Sequence, residues 1–101
     1  MQRRQKQIHP TDLKLKAIGA VVREFRELAG HSQERLSDDC GFDRTYISRV
    51  ERGIINPTVG RLWKIADALE TPLSQIAKRM ELWIINQQRG PKKASRGLPL
   101  P

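Results

Sequence analysis

"SQERLSDDCGFDRTYISRVERG", residues 32–53, is the stretch on which the fold turns. Leu36 and Cys40 lie before "GFD", residues 41–43, and Ile47 and Val50 lie after it, each pair at helical spacing. Ser32 is placed to cap a helix over Gln33–Cys40. Gly41 suits the end of that helix, because glycine tolerates the positive φ that follows a last turn. Asp43 is read as the cap of a second helix, Arg44–Arg52, stopped by Gly53.

Two short helices joined by so tight a turn have the geometry of a helix-turn-helix. Leu36, Cys40, Ile47 and Val50 hold both helices to a core. With Ile47 and Val50 inward, the second helix must present Arg44, Thr45, Ser48 and Arg49 outward. In this geometry the second helix enters a major groove with its N-terminal residues at base edges.

Outward from this pair the periodicity stays helical, and no strand-like alternation or internal repeat is found. A first helix is expected from Thr11 or Asp12 to Ala29. Its apolar stripe is Leu15, Ile18, Val22, Phe25 and Leu28, with Val21 and Ala29 at the margins and Gly30 as the stop. Pro57 pushes Asn56 out of the helical region, and Thr58 caps a fourth helix through Leu69. Leu62, Ile65, Ala66 and Leu69 face inward there. Thr71 as cap and Pro72 at the first helical position start a fifth helix that runs to about Asn86. Gly90 and Pro91 break the pattern, so the predicted domain is residues 11–86 between tails at 1–10 and 87–101.

The net charge is +8, and it is unevenly placed. Arg3, Arg4 and Lys6 put +3 in residues 1–10, and Arg89, Lys92, Lys93 and Arg96 put +4 in residues 89–101. Residues 11–88 hold 12 basic and 11 acidic groups. A near-neutral domain with basic tails suits either solubility or contact with a polyanion such as nucleic acid.

The single cysteine, Cys40, permits no intrachain disulfide, which suits a reducing compartment. Cys40 and His31 lack companions at metal-ligand spacing, so both are read as satisfied structural residues and no metal or cofactor is expected. The N-terminus has basic residues without an apolar run behind them, and no stretch nears the length of a membrane span. A soluble cytoplasmic, nucleoid-associated protein with no membrane role is expected. No Gly-rich phosphate loop, supported carboxylate pair or nucleophile–His pair is found. No catalytic residue and no small-molecule ligand are expected.

Residues about 14–80 resemble the DNA-binding domain of the lambdoid phage repressor and Cro family, the XRE-type helix-turn-helix. The features in register are Arg26, Gly30, "SQ" at 32–33, Leu36, Gly41, "YIS" at 46–48, Glu51, Gly53, "NPT" at 56–58 and "ALETPLSQI" at 68–76. "DRTYIS", residues 43–48, is similar to the recognition helices of restriction–modification controller proteins. Ser37 departs from the alanine the family prefers at the helix–helix contact, and serine is small enough to fit. The acidic pair Asp38–Asp39 is a second departure, and it should face away from phosphates.

The resemblance implies an all-α, compact five-helix, lambda-repressor-like domain with the helix-turn-helix at helices 2 and 3. Arg44, Thr45 and Arg49 match base-contacting positions, and Ser48 joins them. Gln33 matches a phosphate-binding position at a helix N-terminus, while Tyr46, Arg52, Asn56 and Thr58 are flanking phosphate candidates. For Tyr46 and Arg52 the competing roles are packing and solvation. Arg26 and Glu51 resemble a partly buried ion pair that joins the first helix to the third.

The partners implied are double-stranded DNA, as a palindromic operator, and a second copy of the chain. "LWII", residues 82–85, is apolar on more faces than a small domain covers, so a homodimer is expected through Met80, Trp83, Ile84 and Ile85. The function expected is that of a dimeric, sequence-specific transcriptional regulator, with a restriction–modification controller as one form. A phage- or plasmid-type repressor, an antitoxin-type autoregulator and a protein-binding adaptor are the alternatives.

Overall fold

The computed structural model describes residues 10–96. Five helices follow one another: α1 Pro10–Leu28, α2 Gln33–Cys40, α3 Tyr46–Glu51, α4 Val59–Ala68 and α5 Leu73–Arg96. No strand occurs among the described residues, so the fold is all-α as expected. No helix among them is long and apolar enough to cross a membrane.

The larger core cluster joins Val22, Leu36, Cys40, Ile47, Val50 and Ile65 with Tyr46, Leu62 and Leu69. A smaller one joins Val21, Ala66 and Ile76, with Phe25, Leu73, Met80 and Trp83 packed against it. α1 touches both α3 and α5, so its buried stripe is centred on Ala17, Val21 and Val22. That position corrects the expected stripe: Leu28 is 77% exposed, because the chain turns away at Gly30.

Gly19 makes the α1–α3 contact close. A Cβ at Gly19 would lie 2.5 Å from Val50 O and 2.6 Å from Glu51 O. Any side chain there would hold the two backbones apart.

The first four helices end alike. After each, a residue with positive φ (Gly30, Gly41, Gly53 or Glu70) lets the next amide reach back to an unsatisfied carbonyl. His31 N reaches Arg26 O, Phe42 N reaches Ser37 O, Ile54 N reaches Arg49 O and Thr71 N reaches Ala66 O, at 2.8–3.2 Å. Glu70 does this at φ 54°, a conformation that glycine adopts more cheaply.

Ser32 and Thr58 cap α2 and α4 as expected, accepting from the amides of Arg35 and Arg61. The start of α5 differs. Thr71 Oγ1 donates to Leu69 O at 3.1 Å, and the first backbone bonds run from Gln75 and Ile76 to Pro72 O. The far end differs too, because α5 continues through Gly90 and Pro91 to Arg96. Pro91 removes one amide donor but has a φ compatible with a helix, so it need not end one. The rest of the expected tails lies outside the described residues.

α3 begins at Tyr46, two residues after the expected start. Asp43 Oδ2 accepts from Thr45 N at 3.1 Å, which keeps Arg44 and Thr45 in a turn before the helix. Tyr46 N then bonds to Asp43 O, and regular spacing follows with Arg49 N to Thr45 O. Ser37 fits the α2–α3 contact with no exposed surface. Its hydroxyl also accepts from Ile47 N at 3.3 Å, satisfying an amide in the first turn of α3 that has no intrahelical partner.

Candidate nucleic-acid interface

Tyr46, Ile47 and Val50 anchor α3 in the core, leaving the other face to solvent. Arg44 and Thr45 are exposed at its N-terminal end, and Ser48 and Arg49 are half-buried along it. These four expected base-contacting residues therefore share one region of surface. Three neighbours there are already joined. Arg49 Nη2 donates to Thr45 Oγ1 at 2.8 Å and to Asp43 Oδ2 at 3.4 Å. Thr45 Oγ1 in turn donates to Asp43 Oδ2. Thr45's hydroxyl and amide, with Arg49 beside them, hold the Asp43 carboxyl below its usual range.

The frame behind this face is an ion pair. Arg26 donates from Nε to Glu51 Oε2 at 2.6 Å and from Nη2 to Glu51 Oε1 at 3.0 Å. Its Nη1 donates to His31 O at 2.7 Å. The bond to Glu51 raises the Arg26 pKa above its ordinary value, against the opposing effect of burial. One guanidinium thus ties α1 to the C-terminal end of α3 and to the loop before α2.

Among the expected phosphate residues, Gln33 stands at the α2 N-terminus and joins this frame, with Nε2 donating to Glu51 Oε1 at 2.8 Å. Arg52, Asn56 and Thr58 are exposed. Arg52 Nε donates to Ser48 O at 3.4 Å, and Thr58 Oγ1 accepts from Arg61 N. Tyr46 takes the packing role named beside phosphate contact. It is 9% exposed and packs in the core, its ring centroid 4.6 Å from that of Phe42.

Arg61 was not singled out from the sequence. Its guanidinium carbon lies 4.8 Å from the Tyr46 centroid and 5.2 Å from that of Phe42. An exposed arginine is thereby fixed by cation–π contact in the first turn of α4. The signal was an arginine three residues after a cap, in a chain with few aromatics.

The acidic pair divides. Asp39 turns to Arg35 at 3.6 Å and to His31 Nδ1 at 4.0 Å. Asp38 instead borders a shallow surface depression with Glu34, Arg35 and Arg44. Cys40 is buried, with Sγ donating to Lys64 O at 3.6 Å. His31 is less settled than expected, because its buried Nδ1 has no hydrogen-bond partner. No group of three or more His, Cys, Asp or Glu among the described residues could hold a metal ion.

The expected dimer residues are only partly free. Met80 and Trp83 pack against the smaller core cluster, and Ile84 is half-buried. Leu82 and Ile85 are each 44% exposed. Beside them a mainly apolar groove of about 260 Å³ runs between α1 and α5, lined by Ala17, Ile18, Ala77, Met80 and Ile84 together with Lys14 and Glu81.

A hypothetical transcription factor of Neisseria meningitidis is 41% identical over 66% of this chain and 64% of its own. The chain spans between 32% and 64% of the lengths of that relative and of two regulators, SlrR of Bacillus subtilis and SutR of Escherichia coli. The solved structure of the restriction–modification controller protein C.AhdI from Aeromonas hydrophila is 35% identical, with a TM-score of 0.64 over 67% of this chain and 99% of that one. The controller protein C.Esp1396I, solved as a tetramer in complex with its natural 35 base-pair operator, is 30% identical with a TM-score of 0.67. That alignment covers 72% of this chain and 96% of that one. The family model described as Helix-turn-helix matches residues 22–76, more than half the chain, and the chain belongs to that family.

Proposed function

We propose that this chain is a sequence-specific DNA-binding transcriptional regulator that acts as a homodimer on a palindromic operator. Regulation of restriction–modification genes is the form favoured by its similarity to controller proteins, one of which was solved on its operator. The observation that carries the proposal is the α3 face. Arg44, Thr45, Ser48 and Arg49 share it, and the Arg26–Glu51 pair fixes the helix behind it. Arginine reads guanine O6 and N7, and threonine offers a hydroxyl or a methyl. Gln33, Arg52, Asn56 and Thr58 flank the groove as phosphate contacts, and Arg61 joins them. The Tyr46 contribution narrows to its hydroxyl.

A second copy docks across Leu82 and Ile85 on α5, with Met80, Trp83 and Ile84 forming the supported floor. A two-fold contact lets one apolar patch serve both subunits. The role is binding rather than catalysis, in the cytoplasm at the nucleoid.

Selection from a random duplex library tests the reading. A repeated, two-fold symmetric sequence should be enriched, and its affinity should fall steeply with salt as phosphate contacts release counterions. Failure to shift any duplex at low salt would favour a protein-binding adaptor instead. Sedimentation should give a dimer, and Ile85→Glu should yield monomers. A wild-type monomer at high micromolar concentration would remove the dimer.

A further inference from the structure

We propose that Asp43, which the sequence suggested as a cap but which stands in the turn before α3, is a specificity-determining positioning residue that sets how Thr45 and Arg49 meet a base. The inference rests on the DNA-reading function proposed above. Its ground is the hydrogen-bond arrangement on the surface of α3.

Two constraints follow from that arrangement. The Thr45 hydroxyl has one hydrogen, and it is committed to Asp43 Oδ2. Facing outward, Thr45 can therefore only accept a hydrogen bond or offer its methyl. It suits the N4 amine of cytosine, the N6 amine of adenine or the methyl of thymine, and it does not suit guanine O6. Arg49 is constrained next, because both its bonds to this group leave from Nη2. Nε and Nη1 remain free to donate to a base. An arginine held this way has surrendered part of its rotamer freedom before it meets DNA.

The charge acts in the same direction. Asp43 is exposed, and its carboxyl is held below the usual range by Thr45's hydroxyl first of all, so it is ionised at neutral pH. A carboxylate beside the recognition helix repels phosphates on every sequence alike, while its hold on Thr45 and Arg49 helps only where the bases match. The first effect lowers all affinities equally, and the second widens the ratio of cognate to random affinity. The Asp43–Arg49 contact is solvent-exposed and long, so its worth lies in orientation rather than stability.

The test compares the full chain with Asp43→Asn, Arg49→Ala and the double variant, each put through selection from a random duplex library. Asparagine keeps one oxygen that can accept from Thr45 N, but it loses the charge that draws the Thr45 hydroxyl and Arg49 to Oδ2. Asp43→Ser is a second variant, which keeps an acceptor near Thr45 N and is too short to reach Arg49. Thermal melting establishes that each variant folds.

Asp43→Asn should bind random duplex more tightly and relax selection at the base position that Arg49→Ala relaxes as well as at the one Thr45 meets. Its cognate-to-random ratio should fall roughly tenfold, the scale of one specific base contact. At the Arg49 position the double variant should lose no more than Arg49→Ala alone. An Asp43→Asn or Asp43→Ser variant that selects the wild-type sequence with the wild-type ratio would overturn the inference and leave the DNA reading standing. Additive losses at the Arg49 position would do the same. A wild type that enriches no sequence would overturn both.

Discussion

Arg26 holds Glu51 by two bonds, Nε to Oε2 at 2.6 Å and Nη2 to Oε1 at 3.0 Å. The Glu51 side chain is 4% exposed, so water cannot replace its partner easily. Arg26→Met would leave the carboxylate with Gln33 alone, and removing one partner of a buried pair costs about 3–5 kcal/mol. The urea midpoint should drop accordingly. Arg26→Met combined with Glu51→Leu should recover much of the loss, because charge and counter-charge leave together. A double variant no more stable than the single one would contradict this account of the pair.

Gly19→Ala should destabilise the domain even though alanine is the better helix former. The added Cβ meets the carbonyl oxygens of Val50 and Glu51, and both belong to backbone that cannot swing aside. Overpacking of this kind costs about 1–3 kcal/mol. A raised melting temperature would show that α1 and α3 separate at little cost.

Glu70→Gly should work in the opposite direction. Glu70 adopts φ 54° to close the end of α4, and a left-handed conformation costs a non-glycine residue on the order of 1 kcal/mol. Part of that gain is offset by the greater freedom of glycine in the unfolded chain. A small rise in melting temperature is expected, and a fall would mean that the glutamate side chain contributes more than its backbone costs.

Arg61→Ala should weaken binding to cognate and random duplexes by the same factor and lower the salt slope by about 1, as loss of a phosphate contact does. Arg49→Ala should instead relax selection at one base position. If Arg61→Ala lost affinity for cognate DNA alone, the phosphate assignment would fall.

Burial pushes the Cys40 thiol from its ordinary value of 9.0 up to about 11, with Asp39 adding to the rise. The folded state therefore favours the protonated form. That contribution to stability is complete below about pH 9 and is lost as the pH rises through about 11. At pH 8, a thiol reagent should modify Cys40 far more slowly in the folded protein than in urea. Equal rates would show that the thiol is not shielded.

The helix pair at residues 32–53 was legible because Ser32, Gly41 and Gly53 mark its limits by local chemistry. The Arg26–Glu51 pair was legible through the family resemblance. Gly19 was not, because nothing near it in sequence reports that α3 will press on it. Leu28 looked like core by spacing, but periodicity cannot say where a helix leaves its neighbour. Arg61 was missed, since it owes its place to Tyr46 across a gap in sequence. The Asp43–Thr45–Arg49 arrangement lay within one local stretch and was still missed, because capping already gave the aspartate a sufficient role.

The frame of Arg26, Glu51 and Ser37 shares no residue with the face formed by Arg44, Thr45, Ser48 and Arg49. If that face selects the target as proposed, heritable change at a few surface codons can redirect the protein without threatening its folding. Gln33 is where the two duties meet, because it braces Glu51 from the end of α2 that would greet a phosphate. Lineages that diverge in target should vary freely at 44, 45 and 49 and sparingly at 33.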